Sequence, residues 1–243
     1  MRFTLNVTML DPAQILPIAK AAEQAGFYAV SVPDSIFYPE EALGNYPYHE
    51  GREFLEDKPF IEPLIAIASM AAVTSTLHFS TFVIKLAIRD ALIAAKTALS
   101  TAVMSNNRLT LGVGISPWLD DFEHCNVAWE GRGKRLDEMI EVLRGVQTGE
   151  HFEYHGEHFD FPRLKMCPVP DQPIKITVGR HSNPAPRRPA RPARPGRGRP
   201  RRSARGSASP GPCIDSASSD PRPGPAQDDC RAGLGFADHP HGR

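Results

Sequence analysis

The sequence has few cysteines and lacks the common motifs of metal-binding and nucleophilic sites. Its 243 residues include four cysteines, Cys125, Cys167, Cys213 and Cys230, and no two of them are spaced as zinc ligands. It also contains no P-loop, no nucleophile elbow and no zinc signature. We therefore expect reduced thiols in a cytoplasmic protein, with no bound metal.

Long apolar runs are missing as well. The first residues contain no basic stretch followed by an extended apolar segment, which a secretory signal would need. No later run reaches the length that a membrane-spanning helix requires. The sequence therefore gives no reason to expect export or membrane insertion.

Large apolar residues are scarce in the last 60 residues, 184–243, where only Ile214, Leu234 and Phe236 occur. This segment has 12 Pro and 12 Arg but no Lys and no Tyr. Such a composition cannot bury enough surface to offset the loss of chain entropy on folding. The formal net charge of zero also hides a contrast, because the segment has 12 Arg against 5 acids and residues 1–183 have 16 basic residues against 23 acids. We predict a disordered, basic tail after an acidic folded domain.

Residues 1–183 alternate between predicted strands and predicted helices. The apolar patterns predict strands at residues 3–8, 28–32, 77–84, 109–113 and 174–178. They predict helices at residues 15–25, 61–73, 91–105 and 132–148, and a small separate hairpin around residues 151–161. Strands that alternate with helices are typical of a parallel α/β sheet.

The segment RLTLGVGISPWLDD, residues 108–121, is the part of the sequence most suggestive of a site. Its apolar run ends in Gly-x-Gly, which is typical of a buried strand that approaches a neighbour or a ligand closely. In a parallel barrel the site lies in the loops after the strands, so residues 114–121 are a candidate cofactor wall. An ordinary buried strand followed by a turn is the alternative, because Gly-x-Gly alone is not a dinucleotide fingerprint.

Residues 37–58 form a long connection that contains Tyr38, Tyr46, Tyr48 and His49. A connection of this length favours an active-site lid over a tight turn. A solvated insertion without a role is the alternative.

Four segments together resemble the luciferase-like monooxygenase family, and most of all its F420-dependent branch. They are AGFYAVSVPDS, RLTLGVGISPWLDDFEHCNV, RGKRLDEMIEVLRGVQTGEHFEYHGEHFDF and ITVGRHS, and the resemblance extends from residue 1 to about residue 182. The resemblance implies a TIM (β/α)₈ barrel that binds a flavin or deazaflavin and acts on a small-molecule substrate. Members are often dimers, so a homodimer is one oligomeric state to expect.

The resemblance assigns the cofactor ring to two places. Phe82 and Val83 match the position where family members hold a bulge, often with a non-prolyl cis peptide, behind the isoalloxazine ring. An ordinary strand end is the alternative there. Gly114, Ile115 and Ser116 match the wall that runs along the ring and the tail of the cofactor.

A third place would bind the cofactor phosphate. Gly179, His181 and Ser182 match the family's loop that holds the phosphate through backbone N–H groups and a hydroxyl. Arg180 stands where the family usually has a second glycine, which puts the close approach of this loop in question.

Asp34 and Ser35 are the candidate catalytic residues, and they depart from the family pattern. Many relatives have an Asp-His pair here, in which the histidine serves as an acid or base. Ser35 cannot take that role, and His49 or water would have to deliver a proton instead. Asp34 would orient cofactor or substrate, with a structural cap at the strand end as the alternative.

The lack of a catalytic triad does not argue against an enzyme, because a flavin or deazaflavin brings its own redox chemistry. Coenzyme F420 and FMN are both compatible with these residues. FMN-dependent luciferases supply an arginine at the position of Ile115 or Ser116, and its absence favours F420.

The tail leaves three readings open. A full barrel needs eight strands, whereas residues 1–183 supply about five, so the sequence predicts an incomplete barrel. The composition of the tail suggests coding sequence read in a shifted frame, and hence a frameshifted or truncated family member. The alternatives are an inactive partial barrel and an Arg-rich arm that binds nucleic acid, which the missing Lys and aromatic residues disfavour.

Overall fold

A parallel sheet whose main strands follow one another in chain order forms the centre of the fold. The computed structural model describes residues 1–44 and 51–179. The strands are β1 (Thr4–Asn6), β2 (Ala29–Val32), β3 (His78–Thr81), β4 (Ile84–Lys85), β5 (Leu109–Gly114), β6 (Phe152–His155), β7 (Asp160–Leu164) and β8 (Lys175–Val178). The helices are α1 (Ile15–Gln24), α2 (Pro63–Ala72), α3 (Ala91–Met104), α4 (Leu119–His124) and α5 (Arg132–Val146).

The main sheet has the order β1-β2-β3-β5-β8, and every pair in it is parallel. Strands β3 and β4 both pair with β5, β3 near its start and β4 at its end. They are therefore the two halves of one strand, which residues 82–83 interrupt. The sequence predicted a single strand over residues 77–84, with a bulge near its end.

Over the described residues the sheet stays open, with β1 and β8 as its outer strands. Counting β3 and β4 together, it contains five of the strand positions of a (β/α)₈ barrel, as the sequence predicted. The fold is thus an α/β sheet of the barrel type that does not close within residues 1–44 and 51–179.

Helices α2 and α3 cover the sheet, because they are apolar on most faces. Ile67 and Met70 of α2 and Leu99 of α3 are fully buried in one core that also contains Phe79 of β3. All four residues of β2 are buried, as expected of a parallel strand that is covered on both faces. This packing holds the strand ends, and the loops after them, in fixed positions.

A side-chain cap begins the 3₁₀ turn Pro12–Gln14, which leads into α1, and the helices α2 and α3. The carboxylates of Asp11, Glu62 and Asp90 accept hydrogen bonds from backbone N–H groups in the first turn. Asp11 and Glu62 are each followed by proline at the first position, where the missing N–H has no cost.

Strands β6 and β7 form an antiparallel hairpin outside the main sheet, as predicted. The Glu138 carboxylate on α5 accepts hydrogen bonds from the backbone N–H groups of residues 157–159 in the hairpin turn. The Tyr154 hydroxyl donates to Glu141, and burial together with this bond raises the pKa of Tyr154 well above its usual value. The polar face of α5 therefore serves to hold the hairpin.

Helix α4 was not predicted, because no helix was expected between residues 105 and 132. It has six residues, too few to display an apolar period, and it contains two buried acids, Asp120 and Asp121. Among the helices of the described ranges, none combines the length and the apolar character needed to cross a membrane.

Candidate functional site

A cleft of about 590 Å³ opens at the carboxyl ends of the parallel strands. It is lined by Thr8, Met9, Pro33, Asp34, Ser35, Phe54, Leu55, Phe60, Phe82, Val83, Lys85, Gly114, Ile115, Ser116, Pro117, Trp118 and Gly179. The candidate catalytic and cofactor-binding residues that the structure describes are all in this set, whereas residues 119–121 of the candidate wall and Tyr38 of the predicted lid are not. The volume is typical of small-molecule sites, and parallel barrels carry their active sites at this end.

The bulge between β3 and β4 forms part of the cleft wall. The peptide bond Phe82–Val83 is cis, as the family resemblance predicted. The Phe82 N–H donates to the carbonyl of Val32 at 2.8 Å, which ties the bulge to the end of β2. The Phe82 side chain is 64% exposed on the cleft surface. Its contact with a cofactor ring stays a prediction.

The glycines around this bulge have a clear packing reason. A Cβ on Gly114 would lie 2.6 Å from Cγ2 of Val83, and one on Gly112 would lie 2.1 Å from the carbonyl oxygen of Thr81. Gly179 also packs near Val83, and its N–H donates to the carbonyl of Val113 at 2.8 Å. The Gly-x-Gly pattern therefore allows β5 to approach the interrupted strand closely.

Asp34 lies at the end of β2, where other protein groups satisfy its carboxylate. Nη2 of Arg89 lies 2.9 Å from both oxygens, and the backbone N–H of Lys85 donates to Oδ2 at 2.8 Å. The Asp34 side chain is 1% exposed, and Arg89 also reaches Glu62 at 3.3 Å. This geometry favours the alternative of a structural cap, and a role in orienting cofactor or substrate stays a prediction. Ser35, the next residue, lines the cleft.

Ser116 belongs to a polar cluster that the sequence analysis did not foresee. Its hydroxyl donates to Oδ2 of Asp121 and accepts from the N–H of Trp118 at 3.2 Å. Nζ of Lys85 lies 2.7 Å from the same Asp121 oxygen. The available signal was a lysine within the apolar run FVIKLAI, because a charge in such a place needs a partner.

The described parts of the predicted lid lie beside the cleft. The N–H of Leu43 donates to Oδ1 of Asp120 at 3.0 Å, which joins this segment to α4. The Arg52 guanidinium donates to the carbonyls of residues 39 and 40. The 3₁₀ helix Glu53–Leu55 then brings Phe54 and Leu55 into the cleft wall.

Three groups of predicted residues lie outside the described ranges. They are residues 45–50, which include His49, the phosphate-loop residues Arg180, His181 and Ser182, and the whole tail from residue 184. Over residues 1–44 and 51–179, no group of three or more His, Cys, Asp and Glu side chains could hold a metal ion.

The parallel order of the strands and the cleft at their carboxyl ends define a barrel-type α/β protein with a cleft of small-molecule size. The sequence profile described as luciferase-like monooxygenase matches residues 3–194. The chain belongs to this family.

Two relatives illustrate the similarity in sequence. An uncharacterized protein of Mycobacterium tuberculosis strain H37Rv is 49% identical over 190 residues, which cover 77% of this chain and 66% of that protein. An F420-dependent glucose-6-phosphate dehydrogenase of Gordonia bronchialis is 29% identical over 184 residues, covering 72% of this chain and 49% of that protein. The chain thus spans about half of one of these relatives and about two thirds of the other.

Solved structures agree on the fold. A monooxygenase from Streptomyces bottropensis aligns with a TM-score of 0.63 at 22% identity, over 76% of this chain and 55% of that one. The F420-dependent tetrahydromethanopterin reductase of Methanopyrus kandleri aligns with a TM-score of 0.59 at 17% identity, over 79% and 54%. At these identities the similarity concerns the fold alone.

Proposed function

We propose that the cleft binds coenzyme F420 and that the chain has the active-site half of an oxidoreductase for a small organic substrate. The observation that carries the proposal is the interruption between β3 and β4 at Phe82 and Val83, which lies in the wall of a cleft of about 590 Å³. The cleft combines apolar walls with a few hydroxyl groups, which suits a flat ring that carries polar edges.

The described residues have separate roles in this proposal. Phe82 and Val83 would back the ring, and the segment of Gly114, Ile115 and Ser116 would run along it. Gly114 supports this role, because a side chain there would collide with Val83 and disturb the wall. The bound cofactor would supply the redox chemistry.

The far side of the cleft would receive the substrate. Phe54 and Leu55 of the lid segment and Phe60 provide apolar surface there, which would keep water away from the reacting atoms. Ser35 would offer a hydroxyl to the substrate, and Asp34 would hold this part of the wall through Arg89. The phosphate loop, with Gly179, would hold the other end of the cofactor.

Two observations support F420 over FMN. The 29%-identical relative of Gordonia bronchialis is named an F420-dependent enzyme. In addition, Ile115 and Ser116 stand where FMN-dependent luciferases supply an arginine. FMN is the second candidate, since the same cleft would accept its ring.

Cofactor binding by the purified full chain tests the proposal. F420 and FMN are titrated separately, with fluorescence quenching and a thermal melt as the two readouts. We expect saturable quenching and a raised melting temperature, with F420 binding more tightly. Because an aromatic contact contributes about 1 kcal/mol, Phe82→Ala should weaken binding about five- to tenfold.

Ile93→Ala is the matched control, because Ile93 is 68% exposed on α3 and does not line the cleft. It should leave the affinity unchanged. If neither cofactor saturates while the cofactor-free chain melts cooperatively, the proposal is wrong.

A further inference from the structure

Among the described residues that line the cleft, one has a cationic side chain, Lys85. It lies in β4, two residues beyond the cis peptide bond, and its backbone is in register with Gly114 of the cofactor wall. Lys85 lines the cleft and its side chain is 15% exposed, so the side chain reaches the cleft surface while most of it is shielded from bulk water.

The position of this ammonium group is set by Asp121. Nζ of Lys85 lies 2.7 Å from Oδ2 of Asp121, whose side chain is fully buried. The Ser116 hydroxyl donates to the same oxygen, which fixes the carboxylate from a second direction. The ring of Trp118 lies to one side, with its centroid 5.9 Å from Nζ.

Lys85 retains donors for a bound molecule. An ammonium group has three N–H donors, and the ion pair with Asp121 engages at most one of them. The other charged residue in the described lining is Asp34. Arg89 donates to both of its carboxylate oxygens, so these oxygens are already paired within the protein. Ser35, where relatives have a histidine, is a neutral hydroxyl. Within residues 1–44 and 51–179, the cleft therefore presents one charged donor on a mainly apolar surface.

We propose that Lys85 donates a hydrogen bond to the oxygen atom of a substrate carbonyl or hydroxyl group, with Asp121 as its positioning residue. An oxygen at the reacting carbon gains negative charge during reduction of a carbonyl, and a fixed ammonium group in a partly dry cleft stabilises that charge. The substrate class is an apolar molecule with a carbonyl or hydroxyl oxygen at one end. This inference rests on the proposed function, since it assumes that the cleft holds cofactor and substrate together.

A pair of ligands of the same shape tests the proposal. Acetophenone has a carbonyl oxygen where α-methylstyrene has a CH₂ group. Both are titrated into the full chain saturated with oxidised F420, and infrared difference spectra are recorded with ¹³C-carbonyl acetophenone. Wild type should bind acetophenone more tightly and lower its carbonyl stretching frequency.

Lys85→Met keeps an unbranched side chain that is one atom shorter and removes the charge. It should bind acetophenone about tenfold more weakly, with the carbonyl frequency shifted back up, while its affinity for α-methylstyrene stays unchanged. Lys85→Arg should restore part of both effects. Lys20→Met, on the exposed face of α1, is the control and should match wild type.

The outcomes separate the two proposals. If wild type does not bind F420, the proposed function fails. If F420 binds but Lys85→Met changes the two ligands equally, or leaves the carbonyl frequency unchanged, then Lys85 is a structural partner of Asp121 and this inference is overturned. If Lys85→Met does not fold, Lys85→Arg and Asp121→Asn provide the comparison, and an unchanged carbonyl frequency in both overturns it as well.

Discussion

Two glycines of β5 should differ sharply in their tolerance of a single added methyl group. In Gly112→Ala the new Cβ would lie 2.1 Å from the carbonyl oxygen of Thr81, which is backbone of the paired strand. In Gly114→Ala it would lie 2.6 Å from Cγ2 of Val83, which is the end of a side chain. Backbone in a sheet cannot retreat without breaking its pairing, whereas a valine methyl can move.

The structure also sets the magnitudes. At Gly112 the two strands must separate by more than an ångström, and the hydrogen bond from the Thr81 hydroxyl to the Gly112 carbonyl, now 2.6 Å, is strained. Overpacking costs about 1–3 kcal/mol and a lost hydrogen bond about 1 kcal/mol, so we expect Gly112→Ala to lower the free energy of unfolding by about 3 kcal/mol. Gly114→Ala should lower it by about 1 kcal/mol.

Urea unfolding and thermal melts of the full chain measure both variants. For a domain of this size, 1 kcal/mol corresponds to about 2–4 °C in melting temperature. Gly112→Ala should therefore melt about 6–12 °C below wild type, and Gly114→Ala about 2–4 °C below.

Val83→Ala provides the matched second mutation, because it removes the methyl group that Gly114→Ala meets and leaves the Thr81 carbonyl in place. The effects of Val83→Ala and Gly114→Ala should combine to less than their sum. Those of Val83→Ala and Gly112→Ala should add. Equal stability of Gly112→Ala and wild type would refute the reasoning. So would a result in which Val83→Ala reduces the loss of stability in both glycine variants.

Two further predictions concern carboxylates that hold strand ends. Asp34→Ala should lower the free energy of unfolding, measured in urea, by about 3 kcal/mol, because it leaves the Arg89 guanidinium and the N–H of Lys85 without this partner. This value is at the low end for a buried ion pair, because Arg89 keeps a second carboxylate, that of Glu62, at 3.3 Å. A loss below about 0.5 kcal/mol would contradict this reading. Glu23 accepts backbone N–H groups of residues 75–77, and the bonds from Thr76 and Leu77 are the main causes that lower its pKa from 4.5 to about 2. The contribution of the Glu23 carboxylate to stability is therefore present above about pH 4.5 and is lost as the pH falls towards 2. Melting temperatures recorded across that range should fall more steeply in wild type than in Glu23→Gln. Parallel curves for the two proteins would contradict this prediction.

Much of the fold could be predicted from the sequence because local chemistry determines it. Helix α3 begins at Ala91, as predicted, and the alternating aromatic residues around 151–161 form the predicted separate hairpin. The family resemblance gave the position of the cis peptide Phe82–Val83. Helix α4 was missed because six residues are too short to show a periodic apolar face.

The site shows where local pattern stops being informative. The sequence by itself determined the order of strands and helices, and with it the end of the sheet at which Asp34, Phe82 and Gly114 would meet. Only the tertiary structure decided which partners these residues have. Arg89 forms an ion pair with Asp34, and Asp121 forms one with Lys85 at the cleft surface. The physical reason is that hydrogen bonds and ion pairs depend on distances of a few ångströms between residues far apart in the chain, and packing of the whole sheet sets those distances.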